Sequence, residues 1–315
     1  MSIRRTLSSP PLVALAGVAT MAGLPALDAA LSGTSLALLK LINAGAFALN
    51  VGAVSVPGRL DGQQDDEMRK GELNPTKPSA NETASGVYGK NRSRTLVDPS
   101  GWAFAIWGPI YLGETAFLAA QLVSYADVVL PGITAPLAAA NIMQSLWCAS
   151  FRPSYLDGWK KYISASMLAG TAYSLSLVLE AGNAAAAANP AFQAWMLTPF
   201  VMHFGWVSAA TLVNLNGSLA SDETASPRAL TALGHSSALV ATALGIGVTV
   251  SMSAPVYGLT LAWALAACAS GMKKRKPAYS ENDEKVLGTA ANVQHKLCFA
   301  GSLACGATAL YTALL

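Results

Sequence analysis

Phe104, Trp107, Tyr111 and Glu114 are the residues whose types and spacing first suggest chemistry. Steps of three, four and three residues bring them to one helical face, so three aromatic rings and a carboxyl look the same way. Gly108-Pro109 interrupts the hydrogen-bond ladder and predicts a kink in that helix. A kinked aromatic wall suits a flat apolar ligand, with Glu114 as its polar anchor. A second run has matching character. Trp195, Pro199, His203, Trp206, Ala210 and Asn214 recur every three or four residues, and Pro199 is a second kink site. His203 could ligate a metal-centred tetrapyrrole, hydrogen-bond a ligand, or pair with a neighbouring helix. A third run holds Asn141, Gln144, Trp147 and Phe151. Amides at membrane depth commonly join helices, and Asn141 and Trp147 are also candidates to line a ligand site.

Catalysis has little to rest on. The chain has no nucleophile elbow, phosphate-binding glycine loop, HExxH or paired-carboxylate motif. Its cysteines, Cys148, Cys268, Cys298 and Cys305, form no CxxC pair and join no histidine at zinc spacing. They read as small buried hydrophobes, and the chain reads as a non-enzymatic protein without a metal centre. Glu114 lies about halfway along an apolar run, where a bare charge is expensive. It must be paired, protonated or turned to a polar cavity. If the faces bearing Glu114 and His203 meet, pairing would offset part of each group's desolvation penalty.

The elements that must position these residues are membrane helices. Of 315 residues only 12% are charged, while 53% are hydrophobic, too few polar groups to cover a soluble surface. A soluble enzyme, a disordered chain and a disulfide-stapled secreted domain are excluded. A net charge of +3 is too close to balance to suggest a nucleic-acid partner. A transmembrane helix needs about 20 apolar residues. The spacing predicts eight spans: 34–56, 101–124, 134–151, 162–182, 193–215, 229–250, 255–271 and 296–314. Residues 1–33 are either a targeting segment or a first, ninth span, because Pro25 and Asp28 make that stretch a poor membrane helix. Residues 57–100 read as a polar exposed loop and 272–295 as a basic polar loop.

The basic residues set orientation. Arg59, Arg69, Lys70, Lys77, Lys90, Arg92 and Arg94 fill the first long loop. The connection at 125–133 has none; Arg152, Lys160 and Lys161 occupy the next; 183–192 is again bare. Arg228 follows, 251–254 is bare, and Lys273, Lys274, Arg275 and Lys276 close the series. Cations thus alternate with the proposed spans, as the positive-inside rule requires. The fold class expected is an all-α polytopic bundle. Small residues at Ala209–Thr211, Ala241–Gly247 and Ala300–Ala309 would let its helices approach closely.

The run Ser100-Gly101-Trp102-Ala103-Phe104-Ala105-Ile106-Trp107-Gly108-Pro109-Ile110-Tyr111 resembles the tryptophan-rich sensory protein family, also called TspO/MBR or translocator proteins, in its longer plant, algal and bacterial branch. Thr198–Val207 with Ala209–Asn214 is a second match, and Asn141–Trp147 is compatible with that family's Asn/Trp-bearing helix. The pattern covers residues 95–270, here called the TspO-like bundle of 101–271. Short family members have five spans, fewer than this chain. The resemblance implies a membrane receptor for planar hydrophobic ligands: haem, porphyrin or chlorophyll-type tetrapyrroles, or sterols. It implies the lipid bilayer and such a ligand as partners, with a homodimer or larger complex as the assembly, in a chloroplast or other organelle membrane. Two other functions fit the sequence: a non-enzymatic subunit of a photosynthetic or respiratory complex that holds pigment or lipid, and a secondary transporter.

Overall fold

The computed structural model of the protein describes residues 6–54, 93–123, 127–150, 153–155, 157–189, 194–278 and 280–315. Every regular element among them is helical. The order is α1 (Pro10–Leu31), α2 (Leu36–Val54), a 3-10 segment (Gly101–Ile106) running into α3 (Trp107–Leu122), α4 (Leu130–Ala149), α5 (Ile163–Ala188), α6 (Thr198–Ala220), α7 (Pro227–Ser251), α8 (Pro255–Lys273) and α9 (Glu281–Leu314). Five helices carry proline at their first or second position, where the missing N–H would have had no partner anyway. Ser226 and Ser280 cap α7 and α9 by accepting from Ala229 N and Asp283 N.

Eight helical stretches are long and apolar enough to cross a membrane, and α4 is not among them. Its position explains this. α4 packs against α1, α2 and α5, and 14 of its 20 residues are buried. A helix that meets protein on most sides is free to carry Thr134, Asn141 and Gln144, provided each finds a partner. On parallel α2, Asn43 donates to Thr134 Oγ1 (3.2 Å) and Asn50 to Asn141 Oδ1 (2.9 Å). Both contacts recur after seven residues on each helix, the repeat that holds one seam between two helices.

Both ends of the bundle match the charge alternation. At one end Arg94 donates to Asp283 (2.8 Å) and to the carbonyls of Ala220, Asp222 and Ala225, while Lys161 meets Asp222 at 2.9 Å. At the other, Lys40 meets Asp127 at 2.7 Å and Asn183 donates to Met252 O. Within residues 1–33, Pro10–Leu31 are helical and apolar enough to cross a membrane, and α1 packs on α4 and α5. Just before α1, Leu7 O accepts from Tyr155 OH at the cationic end. Among the described residues, Leu7 therefore lies at the cationic end and Leu314, the last residue of α9, at the opposite one.

Three sequence expectations need correction. Residues 281–295 are not loop but the first turns of α9. Ser280 caps them, and Glu281, Asp283 and Glu284 complement the positive helix end; their polarity marked the part of the helix nearest water. In the expected 57–100 loop, residues 55–92 lie outside the described residues, but Arg94–Val97 and Pro99 are buried. Ser100 N donates to Ala267 O, and a β-carbon at Gly271 would fall on the carbonyl of Asp98. This stretch therefore runs along α8 rather than into solvent. Finally, no kink occurs mid-helix at Gly108-Pro109. The chain is 3-10 up to Ile106, and Pro109 is the third residue of α3, where no ladder bond is lost.

Candidate functional site

The site lies where α2, α3, α4 and α6 converge. α3 is held to α6 by a buried stripe, Ile110, Glu114, Phe117 and Gln121, spaced at four, three and four residues so that one side faces the partner. Phe117 meets Phe200 edge-on at 4.9 Å, and Gly113 rides directly on the ring of Pro199, where a β-carbon would not fit. Pro199 thus does more than open α6: it shapes the surface on which α3 lies.

This docking turns the aromatic residues of α3 toward α6. Trp107 stacks on Tyr111 with centroids 5.4 Å apart, and it presents its ring to the edges of His203 (5.5 Å) and Trp206 (6.2 Å). Phe104, in the 3-10 segment, meets Trp206 edge-on at 5.7 Å. Trp206 is 4% exposed whereas Phe104 is 49% exposed. The cluster is therefore closed on the α6 side and open at Phe104.

Beneath the rings lies a polar chain. His203 Nδ1 is 2.7 Å from Glu114 Oε1, and His203 Nε2 is 2.5 Å from Gln144 Oε1. Glu114, Gln144 and His203 are all buried. Gln144 Nε2 donates to the Tyr111 hydroxyl at 2.9 Å, so the amide oxygen is the atom turned toward His203. His203 then carries hydrogen on Nε2, and one proton is shared between its Nδ1 and Glu114. Each group thereby offsets part of the other's desolvation penalty, which is how a carboxyl persists among apolar groups. Both imidazole nitrogens are engaged, so His203 is not placed to ligate the metal of a tetrapyrrole. Of the three roles open to it in the sequence, pairing with neighbouring helices is the one observed.

The remaining candidates divide. Asn141 joins the site at one remove, through Asn50. Trp147 and Asn214 meet each other: Trp147 Nε1 donates to Asn214 Oδ1 at 3.3 Å, and Asn214 lies eight residues, about 12 Å, along α6 from Trp206. They join α4 to α6. Sequence reasoning had noted Gln144 only as helix glue, and it missed α2 altogether. Asn43, Phe47 and Asn50 share one face of α2, and the Phe47 ring lies 6.1 Å from that of Tyr111. The signal was present as two amides seven residues apart in an apolar helix. Among the described residues no group of three or more His, Cys, Asp or Glu could hold a metal ion, and the four cysteines, all buried, form no disulfide.

Neither the curated proteins nor the solved structures contain a match to this chain. A family model does match, described as TSPO-like protein, over residues 74–299. That range takes in α3 to α8 and much of α9, and with them the aromatic cluster and the Glu114–His203 pair. The chain is an integral membrane protein of the TSPO-like family.

Proposed function

We propose that the protein is a non-enzymatic membrane receptor or carrier for a planar hydrophobic ligand of the tetrapyrrole or sterol type, bound against the aromatic cluster. The observation that carries this reading is the coincidence of two features that have little use apart. Four rings, Phe104, Trp107, Tyr111 and Trp206, pack together, Trp107 stacked on Tyr111 and Trp206 set edge-to-face to Phe104 and Trp107, and the group is open on one side at Phe104. Directly beneath them runs the buried chain Glu114–His203–Gln144–Tyr111. A few convergent polar groups within an apolar, aromatic setting is the usual composition of a small-molecule site. Helix packing alone would not call for a carboxyl and an imidazole there.

The test is titration of the purified chain in lipid nanodiscs with protoporphyrin IX and, separately, with dehydroergosterol. Tryptophan quenching reports both ligands, and Soret absorbance reports the porphyrin. Saturable binding of either, weakened by Trp107→Ala, supports the reading. Absence of saturable binding by both, with the chain running at high mass in mild detergent, would favour the alternative of a structural subunit. The resemblance to plant and algal proteins favours an organelle membrane, which a fluorescent fusion would locate.

A further inference from the structure

Lys296 stands where α9 enters the apolar layer. From Leu297 to Leu315 the chain carries no charged residue, and that length is enough to cross a bilayer. Lys296 is exposed, as are Val293 (44%), Phe299 (54%) and Leu303 (60%). Steps of three, three and four residues put all four on one face of α9. Exposed apolar residues on a spanning helix face lipid, so Lys296 faces lipid too. The positive-inside rule accounts for cations in the connections between spans. It does not account for a lysine on the lipid face of a helix.

The neighbouring helix brings a second cation close to the same depth. His295 Nδ1 donates to Ala269 O at 2.9 Å and Ser302 Oγ to Ala262 O at 2.8 Å, which fixes the register of antiparallel α8 and α9. Lys273 lies four residues beyond Ala269, so it continues the same edge of α8 toward the cationic end. The rise per residue sets Lys273 about 7.5 Å nearer to water than Lys296. A lysine lays its stem along apolar surface and carries its ammonium to the headgroups, which closes that gap. Lys273 and Lys274 are both exposed at the end of α8. The acids in the first turns of α9 are already taken, Asp283 by Arg94, Glu284 by Arg275 and Glu281 by Lys285.

We propose that this edge between α8 and α9 holds an anionic phospholipid, its phosphate between Lys273 and Lys296 and an acyl chain along Phe299 and Leu303. Asn292, exposed one turn nearer to water than Lys296, offers its amide to the headgroup. The His295 ring, stacked with Phe299 at 6.4 Å, closes the side toward α8. A zwitterionic lipid presents the same phosphate but brings its own cation, whereas a headgroup of net negative charge complements the lysines. The site lies apart from the aromatic cluster, so each stands or falls without the other.

The test is native mass spectrometry of the full chain in mild detergent, titrated separately with phosphatidylglycerol and with phosphatidylcholine of the same acyl chains. The first phosphatidylglycerol should bind about 25-fold more tightly than the first phosphatidylcholine, about fivefold for each of the two lysines. Lys273→Gln and Lys296→Gln should each remove about fivefold, and the double variant should bind the two lipids alike. Lys285→Gln, at a side chain 70% exposed and paired with Glu281 across one turn, should leave the preference intact. Excess glycerol phosphate should not displace the lipid, because it lacks the chain that lies on Phe299 and Leu303. Equal binding of both lipids by the unmodified chain overturns the site and needs no variant to fold. A preference that survives in the double variant also overturns it, because the cationic end at large would then be responsible. Displacement by glycerol phosphate overturns a lipid as the occupant.

Discussion

The contact between Glu114 and His203 invites a double-mutant cycle. Both side chains are at most 4% exposed and 2.7 Å apart. In Glu114→Leu, His203 keeps its bond to Gln144 but loses the group that shares its second proton site. In His203→Leu, Glu114 is left as a buried carboxyl without that partner. Breaking a buried pair by removing one member costs about 3–5 kcal/mol. Because His203 retains Gln144, each single change should fall at or just below the bottom of that range, about 2–3 kcal/mol. The double leucine variant replaces both groups by apolar ones of similar bulk and should cost less than the two singles combined, leaving a coupling of about 2 kcal/mol. Glu114→Gln keeps a hydrogen-bonding atom near His203 Nδ1 and should lose only about 1 kcal/mol. The assay is thermal unfolding in detergent at fixed scan rate, where 1 kcal/mol corresponds to about 2–4 °C in a chain somewhat smaller than this one. Losses that add to within about 0.5 kcal/mol would refute the reasoning, because they would mean that the two groups are satisfied independently.

Four further outcomes follow from the same geometry. Trp107→Ala should weaken porphyrin or sterol binding by about 1–3 kcal/mol, whereas Trp159→Ala, at a residue 59% exposed outside the site, should leave the titration curve unchanged. Gly271→Ala should lower the unfolding temperature markedly, because its β-carbon meets the Asp98 backbone and the segment packed along α8 cannot yield as a side-chain tip would, whereas Gly23→Ala meets nothing and should be neutral or slightly stabilising. With single cysteines placed at positions 8, 35, 276 and 315, impermeant labelling should group 8 with 276 and 35 with 315; any other grouping contradicts a spanning α1. Asp222, beyond the end of α6, is held well below the usual carboxylate range first by the Thr224 hydroxyl and then by Lys161. A depressed folded value means that its contribution is present above about pH 4 and is lost as pH falls further. The difference in unfolding temperature between the native chain and Asp222→Asn should therefore shrink on acidification below that point.

The parts of this molecule legible in sequence were those in which one local signal decided the outcome. Apolar runs of spanning length marked helices, and alternating cations ordered them, because the bilayer imposes one length and one charge asymmetry on every span; Pro199, expected as a kink site, instead opens α6. The Phe104–Glu114 stripe and the His203–Trp206 face were legible because helical period places them. That the two would meet was a conjecture, since period says which residues share a face and nothing about which faces touch. Boundaries failed where local polarity stood for two things. Residues 281–295 were polar because a helix emerges from the membrane there, and residues 93–100 were polar although they pack along α8. α2 was overlooked because Asn43 and Asn50 are two ordinary residues until α4 lies beside them with Thr134 and Asn141 in register.

The position of α4 links the fold to the site. Lipid-facing helices must be apolar, and helices that share a narrow seam need small residues. Only a helix walled in by protein can present amides on several sides. α4 gives Thr134 and Asn141 to α2, Gln144 to α6 and α3, and Trp147 to α6. Its polarity disqualifies it as a span by hydropathy, and the same polarity holds His203 and Tyr111 through Gln144 and holds Asn50 through Asn141. α3, by contrast, is held to the body chiefly through one stripe on α6. Of the elements around the rings, it is the one whose displacement would expose the cluster to lipid while leaving the α2–α4 seam intact. A flat apolar ligand arriving from the bilayer would therefore meet Phe104 and Trp107 first and the polar floor last.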